Sequence, residues 1–178
     1  MASELIVQTI QGPSSGVNAN KVLIPSGHTL DVSGGTLVPS AGAVVQVVSA
    51  NFTTDTTYSS SGVVKILGLD ITPTSASSKI LVVYNINAIW KSGSSSTSEA
   101  NYYLYRDNAV SITHLDGITP YNGAAQGNSA GSIAGSFLDS PASTSTKHYS
   151  LEISVNAGSV RVNTEGGTCT ITLMEIAQ

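Results

Sequence analysis

Ser129 sits in Gly127-Asn-Ser129-Ala-Gly131, the G-x-S-x-G spacing that presents a nucleophilic serine. Asp139 and His148 follow it in the Ser, Asp, His order of the α/β-hydrolases. That chemistry needs a strand ending in a sharp turn into a helix, because the turn exposes the hydroxyl and the helix start helps shape the oxyanion hole. Here Asn122-Gly-Ala-Ala-Gln126 comes before and strand-like sequence comes after. The pentapeptide therefore reads as a Gly- and Ser-rich loop, and no catalytic residue is expected.

A second group is His114, Asp116 and Asp107. His114 and Asp116 share a face if their strand continues, and Asp107 lies nearby in sequence. Imidazole and carboxylate at such spacing can ligate a divalent ion, but a full site needs more ligands than these three. A solvated turn is the expectation, with no metal and no cofactor. One such residue from each of several copies could complete an axial site, and an ion held there would be structural. Gly127, Gly131 and Gly135 have neither the Gly-Lys-Ser/Thr of a phosphate loop nor its strand-to-helix context. Asn51-Phe-Thr53 fits a glycosylation sequon that nothing else in the sequence supports.

Binding potential resides in the aromatics. Trp90, Tyr102, Tyr103 and Tyr105 flank the polar run Ser92 to Ser98, and Tyr121 lies in the longest loop. Aromatic faces stack on sugar rings while neighbouring hydroxyls and amides read sugar hydroxyls. Trp90 and Tyr102 fall on apolar faces and are expected in the core or in subunit contacts. Tyr103, Tyr105 and Tyr121 are the candidates for a glycan surface.

The elements that must position these residues are strands. Ile80, Val82, Tyr84, Ile86, Ala88 and Trp90 alternate with polar neighbours, so they are expected on one face. Val44 to Val48 is almost continuously apolar, the pattern of a strand covered on both faces. Val63 to Leu67, Leu69 to Ile71, Tyr102 to Arg106, Val110 to Thr113, Ile133 to Leu138, Tyr149 to Val155, Val160 to Asn163 and Thr168 to Ile176 complete the set, with Asp107-Asn108-Ala109 as a hairpin turn. No apolar pattern at helical spacing persists anywhere. The expected fold class is all-β, a β-sandwich of jelly-roll type over residues 44–178.

Residues 1–43 differ. Glu4 to Thr9 is a possible strand and Gly12-Pro13-Ser-Ser-Gly a turn. Ile24-Pro-Ser-Gly then returns as Val38-Pro-Ser-Ala-Gly around very short alternating runs. Each run offers only a few inward side chains, namely Ile24, Leu30, Val32, Leu37 and Val38, too few to enclose a core alone. Such a segment becomes stable when sister copies close around it, so an extended stem intertwined with other copies of the chain is expected.

Composition agrees. Charged residues are 10 % of 178, well below the roughly 25 % of an ordinary soluble domain, while Ser and Thr supply roughly a quarter. Copies with so few charges repel one another little, which suits a subunit whose surface is largely in contacts. A net charge of −4 with basic residues scattered singly excludes a phosphate-binding nucleic-acid surface. No apolar run approaches the roughly 20 residues that cross a bilayer, and the start has no secretory pattern. The single Cys169 falls in alternating strand sequence and is expected to be a buried small hydrophobe.

The run Ile24-Pro-Ser-Gly-His-Thr-Leu-Asp-Val-Ser-Gly-Gly-Thr-Leu-Val-Pro-Ser-Ala-Gly, followed by Val44-Val-Gln-Val-Val, resembles the amino-terminal stem of small virion proteins from tailed bacteriophages, particularly marine ones. Ile71-Thr-Pro-Thr-Ser-Ala-Ser-Ser-Lys-Ile-Leu-Val, Ser136-Phe-Leu-Asp-Ser-Pro and Ile171-Thr-Leu-Met-Glu-Ile are similar to the globular part of that group, while residues 92–135 match poorly. The resemblance implies a non-enzymatic trimer with a head similar in plan to those of tumour necrosis factor and C1q. It implies a place on the capsid or tail surface as a capsid decoration, head-fibre or tail-fibre protein. Its partners would be its own copies, other virion proteins of the shell or tail and, for a fibre tip, host surface glycan.

Overall fold

The computed structural model describes residues 10–17, 19, 21–29, 38–59, 62–92, 99–108, 110–115 and 129–178. The chain divides into two compact units, Met1–Val38 and Pro39–Gln178.

In the first unit no described residue belongs to a strand. The Pro-Ser-Gly phrase is a turn. His28 N–H donates to Pro25 C=O over 3.1 Å, and Gly27 takes the left-handed conformation (φ 81°) that the third turn position demands. Leu30, Val32 and Leu37 lie outside the described residues. Ile24 and Val38 are 45 % and 83 % exposed, and Ile10, Val17, Val22 and Leu23 are also exposed.

The second unit repeats the turn at its start: Ala43 N–H donates to Ser40 C=O across Gly42, whose φ is 85°. Among the described residues ten strands follow: β1 (Val44–Phe52), β2 (Thr56–Tyr58), β3 (Val64–Ile71), β4 (Lys79–Ser92), β5 (Glu99–Arg106), β6 (Val110–Leu115), β7 (Ser129–Asp139), β8 (Lys147–Ala157), β9 (Ser159–Val162) and β10 (Cys169–Ile176). A single 3-10 turn at Thr164–Gly166 is the only helical geometry among the described residues.

Pairing is antiparallel throughout and nested: β1 with β10, β3 with β8, β4 with β7, β5 with β6. That is one long two-stranded ribbon. Wrapping it sends alternate pairs into opposite sheets, so that β10 meets β4 in one sheet and β8 meets β5 in the other. Sheet A thus reads β1-β10-β4-β7, with short β9 and β2 continuing beside the end of β4, and sheet B reads β3-β8-β5-β6. This nesting is a jelly roll, as the sequence pattern predicts.

The core lies between the sheets. Ile80, Val82, Ile86, Ile171 and Leu173 from sheet A face Tyr102, Leu104, Leu151 and Ile153 from sheet B, all essentially inaccessible to water. Each such side chain contributes about 1.5–3 kcal/mol by leaving water, which is what joins the sheets.

Two expectations are corrected. The face running from Ile80 to Trp90 breaks at a β-bulge between Ile86 and Ile89. Ala88 adopts a left-handed φ of 47°, the phase shifts by one, and Ile89 is buried in place of Ala88 and Trp90. Asn87 holds the bulge: its Oδ1 accepts from Ala88 N–H and from Ser132 Oγ. Val44 to Val48 is not covered on both faces. β1 is an edge strand, and Val44 and Val47 are half exposed.

Candidate functional site

The hydrolase-like residues take separate structural roles. Ser129 begins β7, in an extended strand and not at a turn into a helix. Asp139 ends that strand, where its Oδ2 accepts 2.7 Å from the Tyr149 hydroxyl of β8 and pairs with the Arg106 guanidinium of β5. Tyr149 is fully buried, and burial together with the Asp139 charge pushes its phenol well above the ordinary tyrosine range. The Arg106, Asp139 and Tyr149 group is therefore a polar clasp between the two sheets.

His148 is occupied elsewhere. Its Nδ1 lies 2.5 Å from Asp70 Oδ1 across the β3–β8 ladder. Its Nε2 is buried without a hydrogen-bond partner and lies over Gly68, where an added Cβ would come within 2.7 Å of the ring. Among the described residues the second nitrogen of this carboxylate-oriented imidazole meets no nucleophile within hydrogen-bonding reach.

Of the metal-ligand candidates, the His114 side chain and Asp116 lie outside the described residues. Asp107 is the first residue of the β5–β6 turn, and it and Asn108 both take positive φ (55° and 56°), a conformation Asp and Asn tolerate better than most residues. Its carboxylate accepts from His148 N–H at 3.0 Å and from Lys147 Nζ at 3.1 Å. Burial opposes the charged form, but those two donors prevail and hold Asp107 below the usual carboxylate range. Among the described residues no group of three or more His, Cys, Asp or Glu is placed to hold a metal.

Tyr103 and Tyr105 project from β5 on the outer face of sheet B, opposite to buried Tyr102 and Leu104. Their rings are 5.8 Å apart and tilted by 45°. Across the ladder they face Glu152 and Ser150, and the Ser150 hydroxyl donates to Glu152 Oε1 over 2.6 Å. The two partly exposed rings form a shelf on this face, while the Ser150 hydroxyl beside them is buried and engaged by Glu152. Tyr121 lies outside the described residues. Trp90, on sheet A, is covered at 5.6 Å by the Arg161 guanidinium, itself held in a fork by Asp55.

Two functional positions carry little signal in the sequence. Glu175 is fully buried on the inner face of β10. Its Oε1 accepts from the Thr74 backbone N–H and hydroxyl, each at 2.8 Å, and its Oε2 accepts from Gln46 Nε2 at 2.6 Å. Burial alone would raise its pKa, but hydrogen bonds from Gln46, Ser78 and Thr74 outweigh it and lower the group. A carboxylate in the inward register of Ile171, Leu173, Glu175 and Ala177 is the clue that could have identified it. Asn163 is the other. It is buried, left-handed (φ 63°), and donates from Nδ2 to Phe52 C=O at 2.8 Å and Thr54 C=O at 3.3 Å, while its Oδ1 accepts from the Cys169 thiol.

No protein-family model matches the chain, and no curated protein matches it. The chain is similar to the solved structure of infectious bursal disease virus strain Gx, with a TM-score of 0.40 and 14 % identity over 87 % of this chain and 42 % of that one. It is similar also to the VP2 subviral particle of the same virus, with a TM-score of 0.40 and 14 % identity over 93 % of this chain and 45 % of that one. The chain spans less than half the length of either. Likeness of this degree identifies no family.

Proposed function

We propose that the chain is a non-enzymatic structural protein of a bacteriophage virion. In this reading it is a homotrimeric capsid decoration or head-fibre protein, cement-like, attached by an arm over residues 1–43 with the β-head projecting outward. The observation that carries the reading is the arm. Ile10, Val17, Val22, Leu23, Ile24 and Val38 are 45–91 % exposed in the single chain. Apolar side chains spaced in this way lose water only against other subunits. Fixing an extended arm costs roughly 1–2 kcal/mol per residue in backbone entropy, so the arm orders on assembly. The head supports the reading too, because Asp139, His148 and Glu175 each serve to hold strands together.

A second reading is a tail-fibre or receptor-binding tip that recognises host glycan, and the Tyr103–Tyr105 shelf favours it. Electron microscopy of the intact particle, with gold-labelled antibody against this chain, separates the two. Label over the head surface supports decoration, and label at the tail tip supports receptor binding. A particle that carries none of this chain overturns both.

A further inference from the structure

Three rows on the outer face of sheet A, across β1, β10, β4 and β7, bear no charge, while Arg161 and Asp55 lie farther along, beside Trp90. Register places Val47, Met174, Leu81 and Leu138 side by side across β1, β10, β4 and β7. The next row is Ser49, Thr172, Val83 and Ser136, and the one after is Asn51, Thr170, Asn85 and Ala134. None of these three rows contains Asp, Glu, Lys, Arg or His. Lys79, opposite Ile176, marks the rim beyond the apolar row. Val47, Val83 and Leu138 are 54 %, 38 % and 49 % exposed. An open concavity of about 430 Å³ lies over the hydroxyl and amide rows, lined by Ser49, Asn51, Thr170 and Thr172 with Ala50. The outer face of sheet B differs, since Asp70, His148 and Glu152 lie on it.

We infer that this face seats a second copy of the same chain. The inference rests on the assembly reading above and adds to it a contact surface on the head. The argument is one of complementarity. A partner presenting Lys or Glu would leave those ions desolvated against a neutral sheet, at a cost of several kcal/mol each. Every polar group here is a hydroxyl or a carboxamide, and each of those both donates and accepts. Like can therefore pair with like, as ammonium or carboxylate cannot. The apolar row supplies the dry centre and Lys79 the wet rim, the usual anatomy of an interface. Four strands at about 4.8 Å spacing and five residues at about 3.4 Å give a footprint on the order of 300 Å². A standard interface covers about 800 Å² per partner, so the face needs a second contribution. The exposed apolar residues of a sister chain's arm would supply it.

The test is sedimentation velocity of the full chain across a concentration series, with Leu138→Glu, Ser136→Lys and, as control on the other sheet, Lys65→Glu. The expected result is a self-associating wild type and at least a tenfold weaker Kd for Leu138→Glu and Ser136→Lys, with unchanged far-UV circular dichroism. Lys65→Glu should behave as wild type. Ser136→Lys removes no apolar packing, so it decides the matter if Leu138→Glu does not fold. Both sheet A variants associating as wild type would overturn the inference and leave the arm as the contact, with the virion reading intact. A wild type that is monomeric throughout would overturn the inference together with the homotrimer on which it rests.

Discussion

The phenol of Tyr149 and the carboxylate of Asp139 meet at 2.7 Å across the two sheets of the sandwich. Tyr149 belongs to β8 and Asp139 to β7, and the Arg106 guanidinium of β5 closes the group. Asp139 is thus the acceptor on which two donors of the opposite sheet depend. Tyr149→Phe should lose one charge-assisted hydrogen bond, about 1.5–3 kcal/mol. Asp139→Ala removes the charged acceptor that the buried hydroxyl and the guanidinium share, and should cost more, about 3–5 kcal/mol. Urea unfolding of the two variants, read as a shift in midpoint at constant slope, checks the order.

Glu175 predicts an acid limb of stability. Its folded pKa is depressed, so its contribution is complete above the unfolded glutamate value of about 4.3 and is lost as pH falls through the folded pKa. Thermal unfolding of the wild type should decline below about pH 4. Glu175→Gln should be less stable at pH 7 by about 1–3 kcal/mol, because one acceptor becomes a donor facing the Thr74 or Gln46 donors. Its decline toward low pH should be shallower. Parallel pH profiles for the two proteins would contradict the assignment.

Asn163 ties β9 to the segment after β1 from a left-handed backbone. Asn163→Ala should suffer twice, from φ at 63° and from two carbonyls left without their donor, about 2–4 kcal/mol. Asn163→Gly keeps the conformation and loses only the bonds, so it should be the milder change. Nearby, Gly167 has no room for a side chain: a Cβ would lie 2.5 Å from that of Ala88. Gly167→Ala should cost about 1–3 kcal/mol by overpacking against the bulge. Chemical denaturation of the three variants tests the ranking.

Cys169 is fully buried, and burial raises its thiol pKa, which Asn87 and Asn163 only partly offset. It should resist Ellman's reagent in the folded protein and react fully in denaturant. Labelling at an equal rate in both states would contradict the packing of β10.

Much of the head was legible from alternation. Tyr149, Leu151, Ile153 and Val155 alternate inward, as do Ile171 and Leu173, because a half-buried strand must bury one face. The pairing order was not legible from spacing, and only the register of the strands shows it to be nested. What alternation could not show was a change of phase. The bulge at Ala88 is held by Asn87 Oδ1 on the neighbouring N–H and by the Thr164 hydroxyl, which reaches Ala88 C=O from far along the chain, and it turns Trp90 outward. Edge position misled in the same way. Val44 to Val48 has the composition of a central strand, and only the pairing order reveals β1 as an edge. Glu175 escaped notice because its partners Gln46 and Thr74 come from two other segments. Tyr103 and Tyr105 were separable from Tyr102 by parity alone, and the structure keeps that division.

The proposed assembly requires that the apolar side chains of the arm find their interior in sister subunits. Amide hydrogen exchange of the full chain, followed across a concentration series with mass measured by light scattering, tests this most directly. The predicted result is protection of residues 10–29 that rises together with the appearance of a three-chain species, while β4, β8 and β10 stay protected at every concentration. A single chain whose arm is already protected at the lowest concentration would contradict it.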